Sequence, residues 1–334
     1  MEAGRGAAAA DPQVERPALM HPSPTIDAAG ATHIGLRRPT NEDAYLFGRV
    51  GRFLAVDGTS LQPDSLERRI EQAGWYAIVA DGMGGHSAGE VASRAALVAA
   101  FEATLRRSQW VNRVASSEVP DVLRRMQELI EQVHESVSRL ARAAPDLAGM
   151  GTTFTLARVA GSSLIVGHVG DSRVYLVRRG KLRQITKDQT MAQLMADLGE
   201  IRPQEVARHY MSHLLTQSVG SGGPIEVDAR HVWLLEGDAL LMATDGLTGV
   251  VDEPEIEGAI EGGGAAAEIV ERLIGLALEH GAPDNVTAVF ARVTCLPEAA
   301  AAGPPTIDQA APLSPPPPTE PTRRLGSLRR RTAR

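Results

Sequence analysis

The sequence predicts an α+β fold, layered, with antiparallel sheets inside and helices outside. Two observations carry this. Between residues 152 and 185, the short apolar runs TTFTLARV, SLIVGHV, SRVYLVRR and KLRQI are separated only by Ala160-Gly161, Gly170-Asp171 and Arg179-Gly180. Connections that short imply antiparallel hairpins, because a parallel pair needs a crossover of roughly a dozen residues or more. Two long helical patterns lie together ahead of these runs.

The elements follow in order. Residues 1–25 mix alanine, proline and charge without periodicity and read as a flexible leader. Tyr76–Ala80 is a short apolar strand. A helix follows, with Ser87-x-x-Glu90 as its capping box and Val91, Ala95, Val98, Phe101 and Leu105 on one face. A second helix starts near Pro120-Asp121 and carries Val122, Met126, Leu129, Val133 and Leu140 at helical spacing. After the four strand runs, a polar helical stretch extends from Lys187 to about Leu215. Strands over 225–235 and 239–244, a helix from about Ala265 to His280 and the strand VTAVFARV complete a domain spanning 26–296. No internal repeat is visible. The tail, 297–334, holds nine of the chain's 21 prolines, including Pro315–Pro318, which favour an extended polyproline conformation. Its six arginines face Glu298, Asp308 and Glu320, so the tail is about +3 and the remainder about −10. Such a tail suits a docking partner or the acidic body.

Composition narrows the function classes. A 334-residue chain that is 43% hydrophobic but only 4% aromatic builds its core from aliphatic side chains. A net charge of −7 and a pI near 5.8 argue against a nucleic-acid partner. The single cysteine, Cys295, allows no internal disulfide and fits a reducing compartment. No apolar run approaches the roughly 18 residues of a membrane span, and MEAGRGAAAADPQ lacks the apolar region of a secretory signal. A soluble, cytoplasmic protein without a membrane partner is expected.

Four aspartates sit where short apolar runs give way to loops: Asp81 in VADGMGG, Asp171 in GHVGDSRVYLV, Asp245 in LLMATDGL and Asp284 in GAPDNVTAVF. Glu42-Asp43 in RRPTNEDAYLF adds an acidic pair. Each aspartate alone reads as a turn residue or helix cap. Jointly they read as ligands, because carboxylates converging from strand ends repel unless cations lie between them. Hard oxygen donors suit Mg²⁺ or Mn²⁺. The combination suggests metal-assisted phosphoryl chemistry.

A competing pattern is Gly85-His86-Ser87-Ala88-Gly89, which matches the G-x-S-x-G nucleophile elbow; Asp245 and His280 follow in the order of a hydrolase triad. Against it, Asp81–Gly84 intervene between strand and serine, and Ser87 serves as a helix cap. The antiparallel hairpins also fit a parallel hydrolase sheet poorly. GMGGHSAG lacks the GK[ST] of a phosphate loop, and GMGTTF leads into a strand. His209 and His213 form H-x-x-x-H without the glutamate of a zinc motif.

The set RRPTNEDA, VADGMGGHSAGEVAS, GMGTTFTL, VGDSRVYLVRRGKL, MATDGLTGVV and GAPDNVTAVF resembles the metal-dependent type 2C protein serine/threonine phosphatases in their bacterial form, in order from about Ala29 to Val293. The resemblance implies a four-layer α–β–β–α sandwich of two antiparallel sheets. It implies two Mn²⁺ or Mg²⁺ ions with a weaker third, and phosphoserine and phosphothreonine in proteins as substrate. Asp81 would bridge two ions, with the Gly82 carbonyl on one. Asp245 and Asp284 would bind the first, Glu42 and Asp43 would serve the second, and Asp171 would serve the third. Arg38 would bind the substrate phosphate. Water activated between two ions attacks phosphorus directly, so no covalent enzyme intermediate is needed. The phosphorylated partners would come from a separate kinase. A phosphopeptide-binding protein without activity is the alternative, and the intact aspartate set argues against it.

Two departures stand out. Met83 replaces the histidine proposed as general acid in eukaryotic members, and methionine cannot donate a proton; His86 is a nearby candidate, but a histidine at a helix start is more often structural. Ser212-His213 stands where bacterial members usually have Arg-Asn, after the variable flap, which bears on substrate preference.

Overall fold

The computed structural model describes residues 24–55, 69–84, 88–106 and 114–296. β1 (Thr25–His33) and β2 (Asp43–Ala55) lead into β3 (Arg69–Met83), then α1 (Ala88–Arg106) and α2 (Val119–Ala143). Short β4 (Gly151–Thr152) precedes β5 (Phe154–Ala160), β6 (Ser163–Val169), β7 (Arg173–Arg178) and β8 (Lys181–Gln184). After α3 (Met191–Asp197) come β9 (Asp228–Trp233), β10 (Ala239–Ala243), α4 (Asp245–Thr248), α5 (Glu253–Glu261), α6 (Ala266–Glu279) and β11 (Val286–Cys295). One sheet has the order β1-β11-β10-β7-β8 and the other β2-β3-β5-β6-β9, with β4 added to β3. All the pairings are antiparallel.

Period-two alternation sorts the strand side chains into separate cores. In β3, Trp75, Ala77 and Val79 face the other sheet, where they meet Val174, Leu240, Met242 and Val289. Ile78 and Ala80 face α1 and α2, joining Ala92, Leu129, Ile130 and Val133. In β10 and β11, Leu241, Ala243, Ala288 and Phe290 pack on Ile269, Val270 and Leu273 of α6. A fully buried leucine such as Leu241 contributes about 2 kcal/mol by leaving water. The expected α–β–β–α sandwich is therefore the observed one. No helix among the described residues is long and apolar enough to cross a membrane.

Three expectations are corrected. Gly170-Asp171 does not turn a hairpin: β6 pairs with β5 and β9, whereas β7 pairs with β10 and β8. The chain crosses there from one sheet to the other, with Gly170 at φ 113°, a region open to glycine.

On α1 the buried face is small, with Ala92, Ala96 and Ala100 fully enclosed, while Val98, Phe101 and Leu105 are 57%, 42% and 67% exposed. The core-facing side of α1 is built mainly from small residues, with Leu97 the large apolar side chain buried beside them, while Val98, Phe101 and Leu105 turn outward. A Cβ on Gly82 would stand 2.1 Å from the Gly89 carbonyl oxygen, which shows how near the two backbones come.

The polar stretch after Lys187 is helical only over Met191–Asp197, followed by a 3₁₀ turn at Pro203–Arg208. Gly199, at φ 75°, and Pro203 end the helix that periodicity alone would continue. β1, β2 and α5 are elements that sequence reading missed. Ser87, nearly all of the 1–25 leader and the 297–334 tail lie outside the described residues.

Candidate active site

Five of the six predicted carboxylates come from positions where both sheets end on the same side, and the sixth, Glu42, directly precedes β2. Asp43 opens β2 directly opposite Asp81 near the end of β3. In the other sheet, the end of β10 at Ala243 lies opposite Arg173 at the start of β7 and Ala288 near the start of β11. Asp245 follows β10, Asp171 precedes β7 and Asp284 precedes β11. Hydroxyl groups then join the two sheets: Thr244 and Thr287 each donate to Asp43 Oδ2, at 2.8 and 2.7 Å.

The Asp81 backbone is held equally firmly. Its N–H donates to Thr153 Oγ1 at 2.8 Å, and its carbonyl accepts from the Thr153 N–H at 2.8 Å and Thr152 Oγ1 at 2.9 Å. Thr153 Oγ1 also lies 2.8 Å from Ser172 Oγ, which ties Asp81 to the crossover bearing Asp171. These threonines lie in the motifs GMGTTFTL, MATDGL and DNVTAVF, but nothing in their spacing marks them as supports.

Glu42 and Gly82 meet at the start of α1. The Gly82 N–H donates to the Glu42 carbonyl at 3.2 Å, and Ser93 Oγ donates to the same oxygen at 2.7 Å. A Cβ on Gly89 would stand 2.6 Å from Glu42 Oε2. Both glycines therefore allow strand, helix and carboxylate to meet. Arg38, about half exposed, donates from Nη2 to Asp284 Oδ2 at 2.5 Å.

The electrostatics are those of acids forced together. Burial first, then the charges of Asp245 and Asp284, pushes Asp43 up to about 7 against the two threonine hydroxyls. Asp81 is raised well above the ordinary aspartate value by burial and by Asp43, Asp245, Asp171 and Asp284. Asp171 is raised well above it by burial, Asp245 and Asp188, with Arg173 opposing. Asp245 is raised by burial and Asp284, with its hydrogen bond to Asp81 opposing. Glu42 is raised by burial, with Arg38 opposing.

The donor set fits hard divalent cations. Asp43 Oδ1 and Asp245 Oδ1 are buried with no hydrogen-bond partner, an arrangement that costs stability unless a cation answers it. As they stand, no three acidic, histidine or cysteine side chains among the described residues close on one point in the manner of a metal site.

The competing patterns do not assemble. His280 Nε2 lies 3.0 Å from Glu255 Oε1 on the surface, away from the triad role that placed it with Asp245. His209 Nδ1 accepts from the Met211 N–H, and its ring packs on Tyr210. Gly85, His86 and Ser87 lie outside the described residues.

Residues 50–280 match the family model described as protein phosphatase 2C. That span includes Asp81, Gly82, Asp171 and Asp245, while Arg38, Glu42, Asp43 and Asp284 flank it. The chain is 34% identical over 213 residues to the serine/threonine phosphatase stp of Listeria innocua, covering 64% of this chain and 82% of that one. It is 39% identical over 215 residues to the serine/threonine protein phosphatase PstP of Mycobacterium tuberculosis, covering 64% of this chain and 40% of that one. The crystal structure of Mycobacterium tuberculosis PstP superposes with a TM-score of 0.65 at 32% identity, covering 81% of this chain and 99% of that one. The PstP catalytic domain in complex with two manganese ions gives 0.62 at 32% identity, over 81% and 99% of the two chains.

Proposed function

The chain belongs to the protein phosphatase 2C family and is a metal-dependent serine/threonine phosphatase; on that premise we propose how its residues divide the work. The observation that carries the reading is the facing pair Asp43 and Asp81, drawn against Asp245 with two buried carboxylate oxygens left without partners.

Two Mn²⁺ or Mg²⁺ ions at such a site supply an acidified water and positive charge for the phosphoryl oxygens. Asp81 would serve both ions, with the Gly82 carbonyl on one of them; Asp245 and Asp284 would hold the first, and Glu42 and Asp43 would serve the second. Asp171, on the crossover, would serve a weaker third. Arg38 exchanges its Asp284 partner for the substrate phosphate, where its planar fork aligns two oxygens at once. Attack is direct, so no serine or cysteine of the chain becomes phosphorylated. Met83, beside the site in β3, holds no transferable proton, so the leaving alcohol draws its proton from another group. Substrates are phosphorylated proteins made by a separate serine/threonine kinase, and the 297–334 tail is a docking element for them or for regulators.

The test is hydrolysis of p-nitrophenyl phosphate and a phosphothreonine peptide with Mn²⁺, with EDTA, and with a serine-hydrolase inhibitor. Activity that needs Mn²⁺ and ignores the inhibitor is expected. Activity that survives EDTA but not the inhibitor would return the chain to the G-x-S-x-G reading, and no activity would make it a binder.

A further inference from the structure

Arg38 lies on the exposed connection between β1 and β2, residues 34–42. A long side chain on a loose loop would lose much of its affinity for phosphate in ordering both. The connection is not loose. The Leu36 N–H donates to the Ala282 carbonyl at 2.9 Å. Gly35, at φ 78°, presses so close to the backbone beside the site that a Cβ there would stand 2.0 Å from the Asp284 carbonyl oxygen.

The side chain that completes this clamp is Asn285, which is only 5% exposed. Its Nδ2 donates to the Ile34 carbonyl and to the Thr40 carbonyl, each at 2.9 Å, and its Oδ1 accepts from the Glu42 N–H at 2.8 Å. One planar amide thus holds the loop on both sides of Arg38. The reverse orientation of the amide would set its oxygen against two carbonyls, so the pattern itself fixes which end is nitrogen. Of the short side chains, only asparagine offers two donors and an acceptor in this plane. Aspartate lacks the donors and alanine lacks everything.

We infer that Asn285 is a positioning residue for phosphate recognition, holding Arg38 in place beside Asp284 and Glu42. This rests on the reading that Arg38 binds the substrate phosphate. Asn285 is adjacent to Asp284 and its N–H donates to Asp284 Oδ1 at 2.8 Å, so the same turn carries a metal ligand and the brace for the phosphate arm.

The test uses the full chain at saturating Mn²⁺, with p-nitrophenyl phosphate as substrate and inorganic phosphate as competitive inhibitor. Asn285→Ala is expected to raise KM and the phosphate inhibition constant about tenfold, with kcat changed far less. Arg38→Ala is expected to raise both as well. In the double variant the two effects should not multiply, because removing the brace matters only while the arm is present. Mn²⁺ affinity, measured by calorimetry without substrate, should stay within a few-fold of the parent. Asn285→Asp, isosteric and still able to accept from Glu42, decides the question if the alanine variant does not fold. An inert Arg38→Ala would sink the phosphate-binding reading and the inference with it. An effective Arg38→Ala beside inert Asn285 variants, multiplying effects, or a loss confined to Mn²⁺ affinity would sink the positioning role alone.

Discussion

Asp188 and Asp238 lie inside the protein beside arginines, whereas Asp43, Asp81, Asp171 and Asp245 crowd beside one another. Arg173 grips Asp188 through Nε at 3.0 Å and Nη2 at 2.6 Å, and Arg178 grips Asp238 through Nε at 2.9 Å and Nη2 at 2.6 Å. Burial works against the Arg173 charge, but the hydrogen bonds and charge of Asp188 overcome it and raise the guanidinium above its ordinary value. Asp238 also accepts from the Leu235 N–H at 2.8 Å. In these pairs the protein neutralises its own buried charge. At the seam between the sheets it gathers charge of one sign and supplies threonine hydroxyls, with Arg38 the arginine that reaches a seam carboxylate. The same residue type is thus structural where its partner is built in and, on the function proposed above, catalytic where its partner must arrive from outside.

The largest effect is expected at the seam. Asp81→Ala or Asp245→Ala should cut Mn²⁺-supported turnover on p-nitrophenyl phosphate about 10³-fold, while the melting temperature in EDTA holds or rises because one repelling charge has gone. Near-parental turnover would show that these acids are not ligands.

The opposite pattern is expected from Asp238→Ala. It strands the Arg178 guanidinium without its partner and should cost about 3–5 kcal/mol of stability, read by denaturant unfolding, with turnover per folded molecule near the parent's. An unchanged unfolding midpoint would remove the distinction between the two sets.

The pH dependence of stability tests the seam without any substrate. Below the ordinary value of 3.8, Asp43 is protonated in folded and unfolded chains alike; between there and about 7 only the folded chain keeps the proton. Stability in EDTA should therefore fall as pH rises across that window, and saturating Mn²⁺ should offset the fall. A stability that climbs with pH in EDTA would contradict the crowding described above. The smallest effect belongs to Asp171→Asn: a loss of about tenfold, well below that of Asp81→Ala, since the position proposed for Asp171 is the outer one and the Arg173 charge already opposes part of its upward shift. A loss equal to that of Asp81→Ala would move Asp171 into the central set.

Local pattern was enough for some elements and misleading for others. α2 was legible because Met126, Leu129 and Val133 recur at helical spacing and are buried. The hairpins at Ala160-Gly161 and Arg179-Gly180 were legible because both partner strands lie within a few residues of the turn. At Gly170-Asp171 the same rule failed, since β6 finds its other partner in β9 and β7 finds one in β10, dozens of residues later. The outward face of α1 was misread for a related reason. Val98, Phe101 and Leu105 look like a core stripe, but the face of α1 that packs inward is mostly alanine, with Leu97 beside it.

By itself the sequence determined which side chains are proposed for the chemistry: hard carboxylate donors at strand ends, an arginine four residues before Glu42, and no proton donor at Met83. Only the tertiary structure decided their neighbours. The register that faces Asp43 with Asp81, the crossover that delivers Asp171 to the seam, and the Asn285 amide that braces the Arg38 loop all join residues far apart in the chain. Composition and spacing set what each residue is able to do. Which residues meet is set by packing two sheets against each other, and that is a property of the whole chain rather than of any segment.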